Sequence, residues 1–254
     1  MKFIGIIPAR YGSSRFPGKP LAELCGKSVI ERVYEQACKS LDTVIVATDD
    51  ERIYKAVERF GGKAVMTSDR HQSGTDRCWE AYCNAGEQAD VIINIQGDEP
   101  FVRPEQIEAL KTCFPTDIAT LVKPFETQDS IADLLNPNNV KAVFSSVTNN
   151  ALYFSRSVIP YLRNIPQEKG LQQHTFYKHL GLYAYRTDIL KQLTQLPQSP
   201  LEKAESLEQL RWLENGYRIK VAVTHMQSIG IDTPQDLQQA VEFLRHHTEQ
   251  TKET

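Results

Sequence analysis

Apolar runs of strand length alternate with apolar stripes at helical spacing along the first half of the chain, and this alternation constrains the fold most. The strand-like runs are 3–7, 43–47 and 91–95. The helical stripes lie within 29–41, 53–60 and 107–114. Strands that alternate with helices are typical of a parallel sheet with helices on both faces. We therefore predict an α/β fold with a doubly wound, mostly parallel sheet.

The second half of the chain departs from this alternation. Residues 140–144 and 180–186 have strand patterns, but the long segment between them is rich in Pro, Asn and Gln. We expect a single domain over residues 1–254 with a smaller inserted subdomain at about 130–186. Such an extension can cover a site or form a dimer contact.

A basic loop follows the first strand-like run. Residues 8–20 read PARYGSSRFPGKP, and the first twenty residues carry +4 while the whole chain carries −3. Its glycines and hydroxyls, including Gly12 and Ser13, allow backbone N–H groups to turn inward. Arg10, Arg15 and Lys19 add formal charge. The loop suits a polyphosphate, and the alternative is a solvated basic loop.

Two familiar nucleotide-binding motifs are excluded here. The gap between Gly12 and Gly18 is one residue too long for a Walker A loop, and Pro20 replaces its hydroxyl residue. The loop also lacks the G-x-G-x-x-G pattern of dinucleotide-binding enzymes, which disfavours a dehydrogenase.

Carboxylates and a polar amide follow other predicted strands. Gln96, Gly97 and Asp98 follow the strand at 91–95, so they should lie at the same sheet edge as the basic loop. Asp98 and Asp232 are candidate Mg²⁺ ligands, because this hard cation takes a few carboxylates plus water and phosphate oxygens. The alternative for Asp232 is the N-cap of the last helix.

Ser73 and Gly74 begin a predicted helix. Ser73 with Asp76 three residues later resembles a capping box, which is a structural explanation. A glycine at a helix start also lets a nucleotide approach closely, and both explanations can hold together.

A helix is predicted over 201–213, with Glu208 at the edge of its apolar stripe. An unpaired carboxylate there would cost stability, and a hydroxylated ligand would offer partners. The alternative is a solvated glutamate. His179 stands beside a strand, where a histidine is more often structural than a ligand.

Composition limits the other functions. The net charge of −3 argues against non-specific nucleic-acid binding, and no apolar run reaches the length of a membrane helix. The first apolar segment ends at Pro8 before a charged loop, unlike a signal peptide. Five widely spaced cysteines favour reduced thiols. We find no pattern for a covalent nucleophile.

Eight motifs in order resemble the 3-deoxy-manno-octulosonate (Kdo) cytidylyltransferase family, the CMP-Kdo synthetases. The resemblance runs from about 3 to 237, except near 164–173. The motifs are PARYGSSRFPGKPL, HQSGTDR, NIQGDEP, NPNNVK, YFSR, KHLGLYAYR, LEQLR and GIDTPQDL. The resemblance implies a nucleotide-diphospho-sugar transferase-like fold and the reaction CTP + Kdo → CMP-Kdo + diphosphate. It also implies Mg²⁺, a homodimer, and a cytoplasmic role in lipopolysaccharide biosynthesis.

The same resemblance implies roles for individual residues. CTP contacts are expected from the basic loop and the start of the third helix: Arg10, Gly12, Ser13, Arg15, Lys19, Ser73 and Gly74. Contacts to the sugar acid are expected from Gln96, Arg156, His179, Tyr183, Glu208 and Gln209. Metal ligation is expected from Asp98 and Asp232. The residues expected to be catalytic are Arg10, Arg15, Lys19 and Asp98.

Two alternatives stay open. The same chemistry could act on 8-amino-Kdo or a sialic acid, and a hexose-1-phosphate would have to attack through a phosphate. A non-catalytic nucleotide-binding regulator would need the basic loop but no paired carboxylates.

Overall fold

The computed structural model describes residues 1–13, 15–71, 73–226 and 230–250. The contacts of the chain divide it into two compact units, residues 1–107 with 228–254 and residues 108–227. The predicted subdomain at 130–186 falls inside the second unit, and its role as a lid or dimer contact stays a prediction.

Parallel strands form the sheet of the first unit, in the order β6-β1-β4-β5. These strands are β1 (Phe3–Ala9), β4 (Val44–Thr48), β5 (Ala64–Met66) and β6 (Val91–Asn94); β2 (Glu23–Leu24) and β3 (Lys27–Ser28) form a separate small hairpin. Ile4, Ile6, Ile45 and Ile92 are fully buried, as expected for parallel strands covered on both faces.

Helices follow the strands of this unit. They are α1 (Val29–Cys38), α2 (Glu51–Arg59), α3 (Gly74–Ala85), α4 (Pro104–Thr112) and α10 (Pro234–Gln250). The division between the two units falls within α4, at residue 107. Helix α10 contributes Ala240 to a buried cluster with Leu24, Phe101 and Ile231. This cluster fixes the segment before α10 against the loop after β6.

The second unit has a mixed sheet around β7 (Ile118–Pro124). Strand β11 (Ile219–Val223) pairs parallel to β7, and β10 (Tyr177–Arg186) pairs antiparallel to it. Strand β8 (Lys141–Phe144) pairs antiparallel to β10 and to β9 (Ala151–Ser155). The helices are α5 (Ile131–Leu135), α6 (Gly170–Gln173), α7 (Thr187–Leu193), α8 (Pro200–Glu205) and α9 (Glu208–Glu214).

The predicted α/β class and mostly parallel sheet are confirmed. The single helix predicted over 201–213 is wrong. Ser206 adopts a left-handed conformation with φ 51°, and its N–H bonds to the Glu202 carbonyl, so α8 ends there. Glu208 is therefore the first residue of α9 and does not lie on a stripe with Leu201.

Among the described residues, no helix has both the length and the apolar character that a membrane crossing needs.

Candidate active site

A cleft of about 330 Å³ opens in the first unit, where β1 and β6 end. It is lined by Pro8, Ala9, Arg10, Ser13, Arg15, Lys19, Pro20, His71, Ser73, Gly74, Arg77, Gln96, Gly97, Asp98 and Asp232. All of the predicted nucleotide, metal and sugar residues in this unit line it, except Gly12, which is exposed in the same loop. The sheet topology thus brings together segments far apart in sequence.

The basic loop is held in place through Tyr11, which the sequence analysis did not single out. The Tyr11 carbonyl accepts hydrogen bonds from the N–H groups of Ser13 (3.0 Å) and Gly18 (2.9 Å). The Arg52 guanidinium lies 3.3 Å from the centroid of the Tyr11 ring. Gly18 has φ 73°, and a Cβ there would lie 3.0 Å from that ring. Glycine is therefore required at this turn.

Lys19 joins the two carboxylates that were predicted to bind metal. Its Nζ donates to Asp98 Oδ2 at 2.6 Å and to Asp232 Oδ1 at 3.0 Å. Arg15 makes a second ion pair with Asp232, 3.1 Å from Nη2 to Oδ2. Burial alone would lower the pKa of Lys19, but the two carboxylates outweigh it and raise that pKa.

The alternative role of Asp232 as a helix cap is wrong. Thr233 Oγ1 accepts from the Asp236 N–H at 3.2 Å, and Asp236 Oδ2 accepts from the N–H groups of Asp232 (3.0 Å) and Thr233 (2.8 Å). This reciprocal pattern caps α10 without the Asp232 carboxylate. The Ile231 N–H also bonds to the Asp98 carbonyl at 2.8 Å, which holds the two acidic segments together.

The start of α3 forms another wall of the cleft. Ser73 caps the helix, because its Oγ accepts from the Asp76 N–H at 3.1 Å. A Cβ at Gly74 would lie 3.4 Å from Pro8 Cγ and 3.7 Å from Asn94 Nδ2. Asn94 is buried, and its Oδ1 has no hydrogen-bond partner within the described part of the chain. Both the capping role and the close-approach role of this segment are compatible with this geometry.

Arg77 lines the cleft, but its guanidinium is hydrogen-bonded to residues outside the cleft lining. It is 4% exposed, and it donates to Thr67 Oγ1 and to Asp49 Oδ2, each at 2.6 Å. These two partners could not be predicted from sequence, because they lie on the segments after β4 and β5.

His71 also lines the cleft. Its Nε2 contacts Glu80 Oε2, which also accepts from the Ser68 N–H at 2.9 Å. Burial alone would raise the pKa of Glu80, but these two hydrogen bonds outweigh it and lower that pKa. A histidine nine residues before a helical glutamate has no recognisable spacing, so the pair could not be read from sequence.

The remaining predicted sugar residues lie in the second unit, and two of them belong to one aromatic cluster. The ring of His179 lies 5.0 Å from that of Phe154 and 5.3 Å from that of Tyr183. Burial lowers the pKa of His179 to about 3, although its side chain keeps some exposure. Burial, with the nearby Glu208 charge, raises the pKa of Tyr183 well above its usual value. Both side chains are therefore neutral near pH 7.

Glu208 and Gln209 open helix α9. Arg211 Nη2 donates to Glu208 Oε1 at 3.0 Å, and Arg211 Nε lies 3.1 Å from Glu202 Oε2. Glu208 is thus paired, so the unpaired carboxylate that the sequence suggested is not observed. Gln209 is 5% exposed.

The guanidinium of Arg156 donates to backbone carbonyls: Nε to Glu205 at 2.6 Å, Nη1 to Pro137 at 3.0 Å and Nη2 to Ser206 at 3.3 Å. These bonds hold the end of α8. A sugar-carboxylate contact for Arg156 stays a prediction.

Comparisons with known proteins identify the family. A family model described as cytidylyltransferase matches residues 4–221. A Parabacteroides distasonis protein named 3-deoxy-manno-octulosonate cytidylyltransferase is 63% identical over 248 residues, covering 96% of this chain and 98% of that protein. A Bacteroides thetaiotaomicron protein of the same name is 61% identical over 251 residues, covering 98% of this chain and all of that protein. The chain therefore belongs to the cytidylyltransferase family.

Solved structures agree. The structure of a CMP:2-keto-3-deoxy-manno-octonic acid synthetase complexed with CTP is 42% identical, with a TM-score of 0.87, and covers 97% of this chain and 100% of that one. A 4-diphosphocytidyl-2C-methyl-D-erythritol synthase from Anaerococcus prevotii is 14% identical, with a TM-score of 0.61, and covers 96% of this chain and 99% of that one. The second likeness shows the fold alone.

Proposed function

We propose that this member of the cytidylyltransferase family transfers CMP from CTP to Kdo and releases diphosphate. The observation that carries the proposal is one cleft lined by Arg10, Arg15 and Lys19 together with Asp98 and Asp232. Arg15 and Lys19 form ion pairs with these carboxylates. The names of the similar proteins and the CTP bound to one of them support the same substrates.

In this reaction the anomeric hydroxyl of the sugar attacks the α-phosphorus, and the bond to the β-phosphate oxygen breaks. The hydroxyl proton passes to solvent. Phosphoryl transfer needs positioning and charge stabilisation rather than a covalent protein intermediate. Arg10, Arg15 and Lys19 would bind the triphosphate and offset the charge that builds up on the diphosphate as it leaves.

The Asp98–Asp232 pair fits a Mg²⁺ ion. Both carboxylates already accept hydrogen bonds from one ammonium group, so their oxygens converge on a single cation. No cluster of three or more His, Cys, Asp or Glu with metal-binding geometry occurs in the part of the chain that the structure describes. Two carboxylates suit Mg²⁺, which fills its other positions with water and phosphate oxygens. When bound, Mg²⁺ would neutralise phosphate charge and lower the pKa of the attacking hydroxyl.

The sequence resemblance is the ground for assigning six residues to the sugar acid: Gln96, Arg156, His179, Tyr183, Glu208 and Gln209. Of these, Gln96 lines the cleft. The rings of His179 and Tyr183 lie 5.3 Å apart, so these two assigned residues are neighbours in the second unit. We further propose a cytoplasmic homodimer that supplies the activated sugar for lipopolysaccharide.

The test is diphosphate release from CTP and Mg²⁺, with Kdo, 8-amino-Kdo and a sialic acid offered separately. We expect release with Kdo. Release only with another of these sugars would keep the chemistry and overturn the substrate. A folded chain that binds CTP but releases no diphosphate with any of them would instead be a nucleotide-binding regulator.

Substituting Asp98→Asn tests the carboxylate pair. We expect turnover to fall by about 100-fold or more, because charge stabilisation at the reacting phosphate is lost. Asp42→Asn is the matched control, since Asp42 is exposed just before β4, at the other end of the strand from the cleft. Near-normal turnover of Asp98→Asn at saturating Mg²⁺ would refute the assignment.

A further inference from the structure

The pairing of β10 with β7 is interrupted beside His179. His179 pairs with Val122 and Leu180 with Leu121, but the next pair is Tyr183 with Thr120. Gly181 and Leu182 are therefore extra residues on β10. Such a bulge takes backbone carbonyls out of the regular ladder, where they need other partners.

Thr120 supplies that partner. Its side chain is fully buried, and Oγ1 lies 3.2 Å from the Leu180 carbonyl oxygen and 3.0 Å from that of Leu182. The same Oγ1 lies 3.0 Å from His179 Nε2. One hydroxyl group thus serves two carbonyls and one imidazole nitrogen.

The groups around this hydroxyl favour one direction for its bond to the histidine. A carbonyl oxygen can only accept, and a threonine hydroxyl has one hydrogen, so with two carbonyls beside Oγ1 this hydrogen is assigned to the Leu180 or Leu182 carbonyl. Oγ1 then accepts from His179, and Nε2 carries a hydrogen. The ring is neutral because burial lowers the pKa of His179 to about 3. A neutral imidazole has one N–H, so Nδ1 holds a lone pair.

We propose that Thr120 is a positioning residue that holds His179 in the Nε2–H tautomer, which leaves Nδ1 as an acceptor for a hydroxyl group of the acid sugar. Nδ1 has no hydrogen-bond partner among the described residues. In this tautomer Nδ1 cannot donate to the sugar carboxylate, so the structure assigns His179 to a hydroxyl. The sugar contact rests on the proposed function, whereas the tautomer does not.

The tautomer is measured on the chain without substrate. Long-range proton–nitrogen correlation spectra of the ¹⁵N-labelled protein distinguish the two neutral tautomers, and the His179→Gln variant identifies the His179 signals. We expect the Nε2–H pattern in the wild type and in Thr120→Ser, which keeps the hydroxyl. An Nδ1–H pattern or a protonated ring in the wild type at pH 7 would overturn the proposal, whatever substrate the enzyme uses.

Thr120→Val removes the hydroxyl at nearly constant shape. We expect the Nδ1–H form to become populated and the KM for Kdo to rise about tenfold, the equivalent of one ordinary hydrogen bond lost from binding. The KM for CTP should stay unchanged, and Thr120→Ser should restore the KM for Kdo. An unchanged tautomer in a folded Thr120→Val variant, or equal rises in both KM values, would refute the positioning role. If no acid sugar is turned over by the wild type, the proposed function fails and the spectra still decide the tautomer.

Discussion

Lowering the pH should destabilise the second unit through His179. The folded protein keeps this imidazole neutral, with a pKa lowered to about 3 by burial, whereas a histidine in an unfolded chain has a pKa near 6.5. Between these values the unfolded chain binds a proton that the folded chain does not. The free energy of unfolding therefore falls as the pH drops below about 6.5, and it stops falling through this group below about 3.

The size of the effect follows from the same two pKa values. From pH 7 to pH 4.5, His179 should account for a loss of about 2–3 kcal/mol, at a slope approaching 1.4 kcal/mol per pH unit. His179→Gln has no titrating ring at this position. The free energy of unfolding of this variant should therefore fall by about 2–3 kcal/mol less than that of the wild type over the same range.

Urea unfolding at several pH values between 4.5 and 7 measures this difference. Trp212 is buried in the second unit with its ring 5.1 Å from that of Tyr183, so its fluorescence reports on this unit in a Trp79→Phe background. His225→Gln, which removes an imidazole that is 74% exposed, is the matched control. Parallel pH curves for the wild type and His179→Gln would show that the folded protein protonates His179 as readily as the unfolded chain, and the argument from burial would be wrong.

Two further substitutions test the walls of the cleft. Gly97→Ala would place a Cβ 2.6 Å from the Pro8 carbonyl oxygen, so the end of β1 and the loop after β6 must separate. We expect about 1–3 kcal/mol of lost stability and weaker CTP binding by calorimetry. Wild-type stability and CTP affinity in this variant would show that the end of β1 and the loop after β6 separate without cost. Asp49→Ala leaves the buried Arg77 guanidinium without its carboxylate, and thermal unfolding should show a loss of about 3 kcal/mol. Adding Arg77→Met to Asp49→Ala should recover part of that lost stability, because no unpaired guanidinium remains. If the double variant is instead less stable than Asp49→Ala by a similar amount again, the Asp49–Arg77 ion pair does not explain the loss.

Local patterns explain what was predictable in the fold. The buried strands β1, β4 and β6 are short apolar runs, and strand ends were located within one or two residues. The bounds of β10 were less accurate, because its first residues, Tyr177–Leu180, are only partly buried and lack a continuous apolar pattern. The break at Ser206 was missed because a serine with positive φ has no signature in a helical pattern.

The candidate site also has a part that could be predicted from sequence and a part that could not. The predictable part lies just after strands that the sequence pattern locates: Gly18 and Lys19 in the basic loop after β1, and Asp98 after β6. Because these strands are parallel, their ends lie at one edge of the sheet. Tyr11 and Arg77 were not assigned their structural partners, since Arg52, Thr67 and Asp49 belong to other segments.

The α/β class, the family and the basic loop were predictable without the structure, because hydrophobic periodicity and ordered motifs are local properties of the chain. Two contacts appear only in the folded chain. Asp232 binds Lys19, 213 residues away, instead of capping α10, and Thr120 contacts His179 beside a bulge. These contacts depend on which backbone N–H and C=O groups already have hydrogen-bond partners and on how distant segments pack. A hydroxyl or carboxylate can take several partners, and packing around it selects one.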